Sequence, residues 1–118
     1  MREKYVSFGS EEKEIGWAPL KILLGHTADV FDLQWSSDGK YIISGSIDNS
    51  AIIYSVEKAK VVQRLDSHSH FVQGVAFDPK MKYAVTQSSD RSVKIWKNSK
   101  GKNKKVNFYT AAVFSFLY

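Results

Sequence analysis

Gly25-His26-Thr27-Ala28-Asp29-Val30-Phe31-Asp32-Leu33-Gln34-Trp35 decides the fold, because it returns 42 residues later as Ser67-His68-Ser69-His70-Phe71-Val72-Gln73-Gly74-Val75-Ala76-Phe77. His26 maps onto His68 and Val30 onto Val72. The register then continues without a gap through Lys40-Tyr41 and Lys82-Tyr83, Ser46 and Ser88, Asp48 and Asp90, Ser50 and Ser92, Ile53 and Ile95, and Tyr54 and Trp96. A fixed period of this kind marks one supersecondary unit used twice, each copy needing a neighbour to bury its apolar face.

Period-2 alternation and turn chemistry divide each unit into short strands. Val30–Trp35, Tyr41–Ser46, Ala51–Tyr54 and Val61–Leu65 read as four strands, with Ser36-Ser37-Asp38-Gly39 and Asp48-Asn49 as turns. The second unit repeats the pattern with Phe71–Phe77, the turn Asp78-Pro79-Lys80, Tyr83–Gln87 and Ser92–Trp96, and Val106–Tyr109 as candidate fourth strand. Pro79 falls at a turn, where its fixed φ is useful and its missing N–H costs nothing. Upstream, Leu20–Leu24 looks like the outer strand of a preceding unit. Residues 1–19 read as a linker or frayed start, 20–109 as two repeats (about 24–65 and 66–109), and 110–118 as an atypical aromatic tail.

A period of about 40–45 residues that opens on Gly-His and closes on Trp resembles the WD40 repeat. The resemblance implies an all-β protein made of about two four-stranded antiparallel blades of an incomplete propeller. Propellers close with about 4–8 blades, so the expectation is part of a longer protein or a truncated product. The alternative is a short chain that builds its ring from several copies.

Bulk properties set further bounds. The 118 residues are 43% hydrophobic and 14% aromatic, a globular composition. No cysteine is present, which excludes disulfides and thiol catalysis. Met1–Ser10 lacks the apolar core of a secretory signal, and no apolar run approaches the roughly 20 residues that span a bilayer. The net charge of +5 is unevenly spread: residues 1–22 hold four basic and four acidic side chains, residues 23–97 nine and eight, and Lys100, Lys102, Lys104 and Lys105 supply the rest. The repeats are therefore nearly neutral, and sequence-specific nucleic-acid binding is not expected. The run Lys97–Lys105 resembles a localisation or phosphate-contacting patch, but reads more simply as a solvated loop between strands.

Each repeat carries a His, a hydroxyl and an Asp in register: His26, Ser44 and Asp48, then His68, Thr86 and Asp90. Taken alone the first set has the composition of a catalytic triad. A catalytic set has no reason to occur twice in register, and no nucleophile elbow surrounds either hydroxyl. The better reading is a buried network that satisfies polar groups between strands and ends on an aromatic donor. Trp96 offers an indole N–H and completes the second set. Tyr54 takes that place in the first, so the first blade should be locally weaker. His26, His68 and His70, without cysteine, show no metal-ligand spacing, and no cofactor or small-molecule substrate is implied.

Two segments resemble one branch of the repeat family. Asp48-Asn49-Ser50-Ala51-Ile52-Ile53 and Phe71-Val72-Gln73-Gly74-Val75-Ala76-Phe77-Asp78-Pro79 are similar to stretches of the WD-repeat subunit of chromatin assembly factor 1, and HIR-type histone regulators share the pattern. Gln73-Gly74-Val75 and the segment Trp17-Ala18-Pro19-Leu20-Lys21 lean toward the first branch. The resemblance implies a nuclear, non-enzymatic histone-chaperone subunit on a seven-bladed propeller. Its partners would be histones H3 and H4 and the other assembly-factor subunits, in replication- or repair-coupled nucleosome assembly. A generic WD40 adaptor unrelated to chromatin is the alternative from another class. In WD40 blades the turn after Gly-His and the turn bearing the Asp reach the same rim. There the partner-binding candidates are Asp29, Asn49, His70, Phe71 and Arg91. Asp32, with Asp29, is a further carboxylate that could face a basic histone surface.

Overall fold

The computed structural model describes residues 5–13, 16–99 and 105–116, with side chains from Ile22 onward. Among them are only strands and turns: β1 (Tyr5–Lys13), β2 (Gly16–Leu24), β3 (Val30–Trp35), β4 (Tyr41–Ser46), β5 (Ala51–Ser55), β6 (Lys60–Leu65), β7 (Val72–Phe77), β8 (Tyr83–Ser88), β9 (Ser92–Asn98) and β10 (Phe108–Ser115). They form a β1–β2 hairpin and two four-stranded antiparallel meanders, β3-β4-β5-β6 and β7-β8-β9-β10. The two meanders are the two expected blades. Even the irregularities repeat: the first ladder of each blade slips once, between Val30 and Asp32 and again between Val72 and Gly74.

Turn chemistry explains where the strands stop. Gly39 adopts φ 72°, and its N–H donates to the Ser36 carbonyl over 3.0 Å. That left-handed conformation is open to glycine without penalty. Asp38 closes the same turn by accepting from Ser36 Oγ at 2.6 Å and from the Lys40 N–H at 2.9 Å. At the opposite end, Asn49 (φ 72°) and Arg91 (φ 68°) occupy equivalent left-handed positions in the two blades. Asn tolerates that region, whereas Arg is held there by its surroundings.

Alternation sends successive side chains to opposite faces. On β4, Ile43 enters the cluster shared with Val72, Val75, Ala84, Trp96 and Phe108 of the second blade. Ile42, one residue earlier, joins Leu23, Ile52 and Tyr54 against the hairpin. The blades therefore stack head to tail, each using a different face. Gly45 lies where they come closest: a Cβ there would sit 2.7 Å from Val72 Cγ1 and 2.9 Å from the Val72 carbonyl oxygen. Among the described residues, three polar links join the blades at separate places. Near the inner strands the Val75 N–H donates to Asp32 Oδ2 (3.2 Å), and at the turns Ser37 Oγ donates to the Pro79 carbonyl (2.5 Å). On the outer strands the Gln63 amide donates to the Phe108 carbonyl (2.6 Å) and accepts from its N–H (2.7 Å).

Two expectations change. Residues 1–19 are not a bare linker: Tyr5–Lys13 pairs antiparallel with Gly16–Leu24, in a register running from Tyr5↔Leu24 to Lys13↔Gly16. Backbone pairing overrides the weak local pattern of the charged segment Glu11-Glu12-Lys13, as context commonly does for strands. The last strand begins at Phe108, not Val106, and runs through residues assigned to an atypical tail as far as Ser115. A bulge between Thr110 and Ala112 breaks its alternation, which hid it from a period-2 reading. The lysines at 100, 102 and 104 lie outside the described residues.

Candidate functional site

The repeated polar residues converge in each blade. In the first, His26 sits on the link from β2 to β3, Ser44 on β4, and Asp48 on the β4–β5 turn. His26 Nδ1 lies 2.9 Å from Asp48 Oδ2, and Nε2 lies 2.6 Å from Ser44 Oγ. A carboxylate only accepts, so Nδ1 carries the hydrogen and the Ser44 hydroxyl donates to Nε2. The second blade repeats this with His68 Nδ1 to Asp90 Oδ2 at 2.9 Å and Thr86 Oγ1 to His68 Nε2 at 2.7 Å. Trp96 Nε1 then donates to Thr86 Oγ1 over 2.9 Å. The result is one directed chain, indole to hydroxyl to imidazole to carboxylate.

The first chain stops short. The Tyr54 hydroxyl is buried without a hydrogen-bond partner. A hydrogen bond with the nearby Ser44 hydroxyl would pull the phenol pKa down, but the two groups do not meet in bonding geometry. Burial, the larger influence, pushes the Tyr54 phenol up from its ordinary range. An unsatisfied buried hydroxyl costs about 1–3 kcal/mol.

Serines complete both networks. Ser50 Oγ donates to Asp48 Oδ1 (2.5 Å) and Ser92 Oγ to Asp90 Oδ1 (2.5 Å). The Thr27 and Ser69 N–H groups donate to the other carboxylate oxygens at 3.0 and 3.1 Å. Burial alone would raise the carboxyl pKa values; these donors outweigh it and hold Asp48 below, and Asp90 well below, the usual range. His26 is lowered chiefly by burial, against the pull of Asp48, and is therefore neutral at pH 7. The repeat at Ser50 and Ser92 is visible in the sequence, but nothing there assigns these serines to the networks. Ser44 and Thr86 are both 0% exposed, so neither hydroxyl can meet a substrate. These groups tie turn to strand. Among the described residues no group of three or more His, Asp or Glu could hold a metal ion.

The networks fix the rim above them. Asp29 and Asn49 lie together on the first blade, where the Ile47 N–H donates to the Asp29 carbonyl (3.0 Å) and Asn49 turns the chain into β5. On the second blade the Ser89 N–H donates to the Phe71 carbonyl (3.0 Å), joining the His70–Phe71 loop to the turn that carries Arg91. His70 packs edge-on against Phe71, with ring centroids 4.2 Å apart. Phe31 of the first blade reaches Phe71 at 6.1 Å and bridges the two groups. Sequence reasoning misses Phe31, although it stands one residue after Val30 in the repeat. Asp32, a candidate contact for basic partners, is instead engaged with the Val75 N–H. Arg91 also borders a groove of ≈ 300 Å³ with Gln73, Gln87 and Phe116.

Four-stranded meanders stacked head to tail, each pinned by a His–hydroxyl–Asp network, define WD40-type propeller blades. The CAF1B/HIR1 beta-propeller domain family matches residues 2–113, and the chain belongs to that family. It is 48% identical over 89 residues to the chromatin assembly factor 1 subunit FAS2 homolog of Oryza sativa subsp. japonica, covering 75% of this chain and 18% of that protein. It is 40% identical over 94 residues to Protein HIR1 of Mycosarcoma maydis (79% of this chain, 9% of that protein). It is 35% identical over 114 residues to a chromatin assembly factor 1 subunit of Mus musculus (93% and 19%). The chain thus spans about a fifth or less of the length of these relatives.

Proposed function

We propose that this chain is a non-enzymatic WD40 scaffold of nuclear chromatin assembly. It would bind histones H3 and H4 together with other assembly-factor subunits, in replication- or repair-coupled nucleosome assembly. The observation that carries the reading is the family match over residues 2–113, shared by assembly-factor and HIR1 relatives alike. The site supports it in kind. Its polar groups are buried and structural, while the exposed rim offers Phe71, His70 and Arg91, a composition typical of protein-binding hot spots. Asp29 adds a carboxylate suited to a basic partner.

The test is mass spectrometry on the protein tagged at Met1 and purified under native conditions. H3, H4 and assembly-factor subunits should co-purify, and Phe71→Ala with Arg91→Ala should reduce the histone yield. A second reading, HIR-type histone regulation, is favoured by the HIR1 relatives at 40% identity; recovery of HIR-complex subunits in place of assembly-factor subunits would select it. Recovery without any histone would sink both.

A further inference from the structure

The connections β3–β4, β5–β6 and β7–β8 lie at the end of the blades opposite the His–Asp turns, as does the start of β10, because each meander is antiparallel throughout. At that end two adjoining grooves of ≈ 520 and ≈ 470 Å³ run between the blades and share Lys40, Tyr41 and Val106. Their walls carry five lysines (Lys40, Lys58, Lys60, Lys80 and Lys105) against two carboxylates, Asp38 and Glu57. Asp38 is already taken up by the Ser36 hydroxyl and the Lys40 N–H in its own turn. Among the described residues, none of the five ammonium groups forms an ion pair. Tyr41, Val62, Met81 and Val106 line part of the floor and pack against the core between the blades, which sets apolar surface among the polar walls. Repeats that are nearly neutral in sequence thus gather positive charge at this one place.

We propose that this lysine-walled groove docks an acidic peptide segment carrying apolar side chains between its carboxylates. Complementary charge on the walls steers and orients such a segment. The concave apolar floor gives its hydrocarbon side chains somewhere to leave water. Lysines act as flexible point charges and do not demand the paired geometry of a phosphate fork. A nucleic-acid backbone would match the charge but would set nothing apolar on Tyr41, Met81 and Val106. The groove lies at the opposite end from Phe71 and Arg91, so the proposal goes beyond the histone reading and stands or falls apart from it.

The test is fluorescence anisotropy with the 118-residue chain and a fluorescein-labelled peptide repeating Glu-Glu-Leu. Saturable binding that weakens as salt rises is expected. A Gln-Gln-Leu analogue and a Glu-Glu-Ser analogue should each bind at least about fivefold more weakly, the first through charge and the second through the floor. The exposed triple variant K58E/K60E/K80E should lose about tenfold in affinity, and R91E none. Tighter binding to duplex DNA than to the peptide, full binding of either analogue, or no binding at all would overturn the proposal. The analogue arms hold even if the triple variant fails to fold.

Discussion

The two blades set the same His, hydroxyl, Asp and Ser at the same spacing, and their networks match in His–Asp distance, 2.9 Å in each. They part at one donor. Trp96 reaches Thr86 and closes the second chain, whereas the Tyr54 hydroxyl of the first finds no partner. Packing of the middle strands favours the first blade, since β4 and β5 are buried almost throughout whereas β8 and β9 are buried only in part; the innermost strands run the other way. Leu33 and Trp35 of β3 are 38% and 45% exposed, while the equivalent Val75 is 6% exposed and Phe77 packs against the core between the blades. The second blade therefore has a finished polar chain and, among the described residues, one packed neighbour, whereas the first has a broken chain but is packed on both faces, against the second blade and against the hairpin β1–β2. Matching network residues do not confer matching surroundings; what lies across each face and at the end of each network differs.

The comparison can be broken by single substitutions. Removing a carboxylate should have the largest effect, because it strands four donors at once, which for Asp90 are the His68 imidazole, the Ser92 hydroxyl and the Ser69 and Ser92 N–H groups. Asp90→Ala is expected to cost about 3 kcal/mol, and Asp48→Ala about 1 kcal/mol less, since its network is already incomplete. Equal shifts in urea unfolding, followed by circular dichroism, would erase the distinction between finished and broken chains. The terminal aromatic gives a smaller effect with opposite signs in the two blades. Trp96→Phe should destabilise by about 2 kcal/mol, through the lost N–H and the lost volume. Tyr54→Phe should be neutral or stabilising by up to about 1 kcal/mol, because it deletes an orphaned hydroxyl. A clear loss of stability in Tyr54→Phe would mean that the phenol has a partner in solution.

The smallest effect is a pH slope. Burial lowers His26 from its ordinary value of 6.5, so the unfolded chain takes up the proton first. Its contribution is complete above pH 6.5 and falls as pH drops through that value toward the folded one, by at most about 1.4 kcal/mol per unit. Urea midpoints at pH 7.5 and 5.5 measure the slope, and His26→Gln should remove the part that His26 contributes. An unchanged slope in that variant would show that the first network does not hold its imidazole neutral.

Much of this architecture is legible in the sequence. The repeat locates the β3 and β4 strands to the residue. The spacing of His26, Ser44 and Asp48 with their copies picks out the His, hydroxyl and Asp of each network, but neither the part of Ser50 and Ser92 nor the unbonded Tyr54 hydroxyl. Periodicity carries such information because each strand buries one face. It is silent at β1, where charged residues mask the pairing, and at β10, where a bulge interrupts the alternation. It is equally silent on the lysine groove, whose members stand at 40, 58, 60, 80 and 105 and meet only when two turns of one blade face a turn of the next and the residues leading into its last strand. Local pattern reports what a strand buries; it does not report which distant turns become neighbours.

The Gln63 side chain pairs with both backbone groups of Phe108, as a neighbouring peptide unit would. Together with Asp32–Val75 near the centre and Ser37–Pro79 at the turns, it gives the contact between blades three anchor points that do not lie on one line. Three such points fix a plane, so one sheet cannot pivot on the other without losing a bond. The wedge angle is thus a local property of a pair, and a ring built from such wedges would have its curvature written into each joint before it closed.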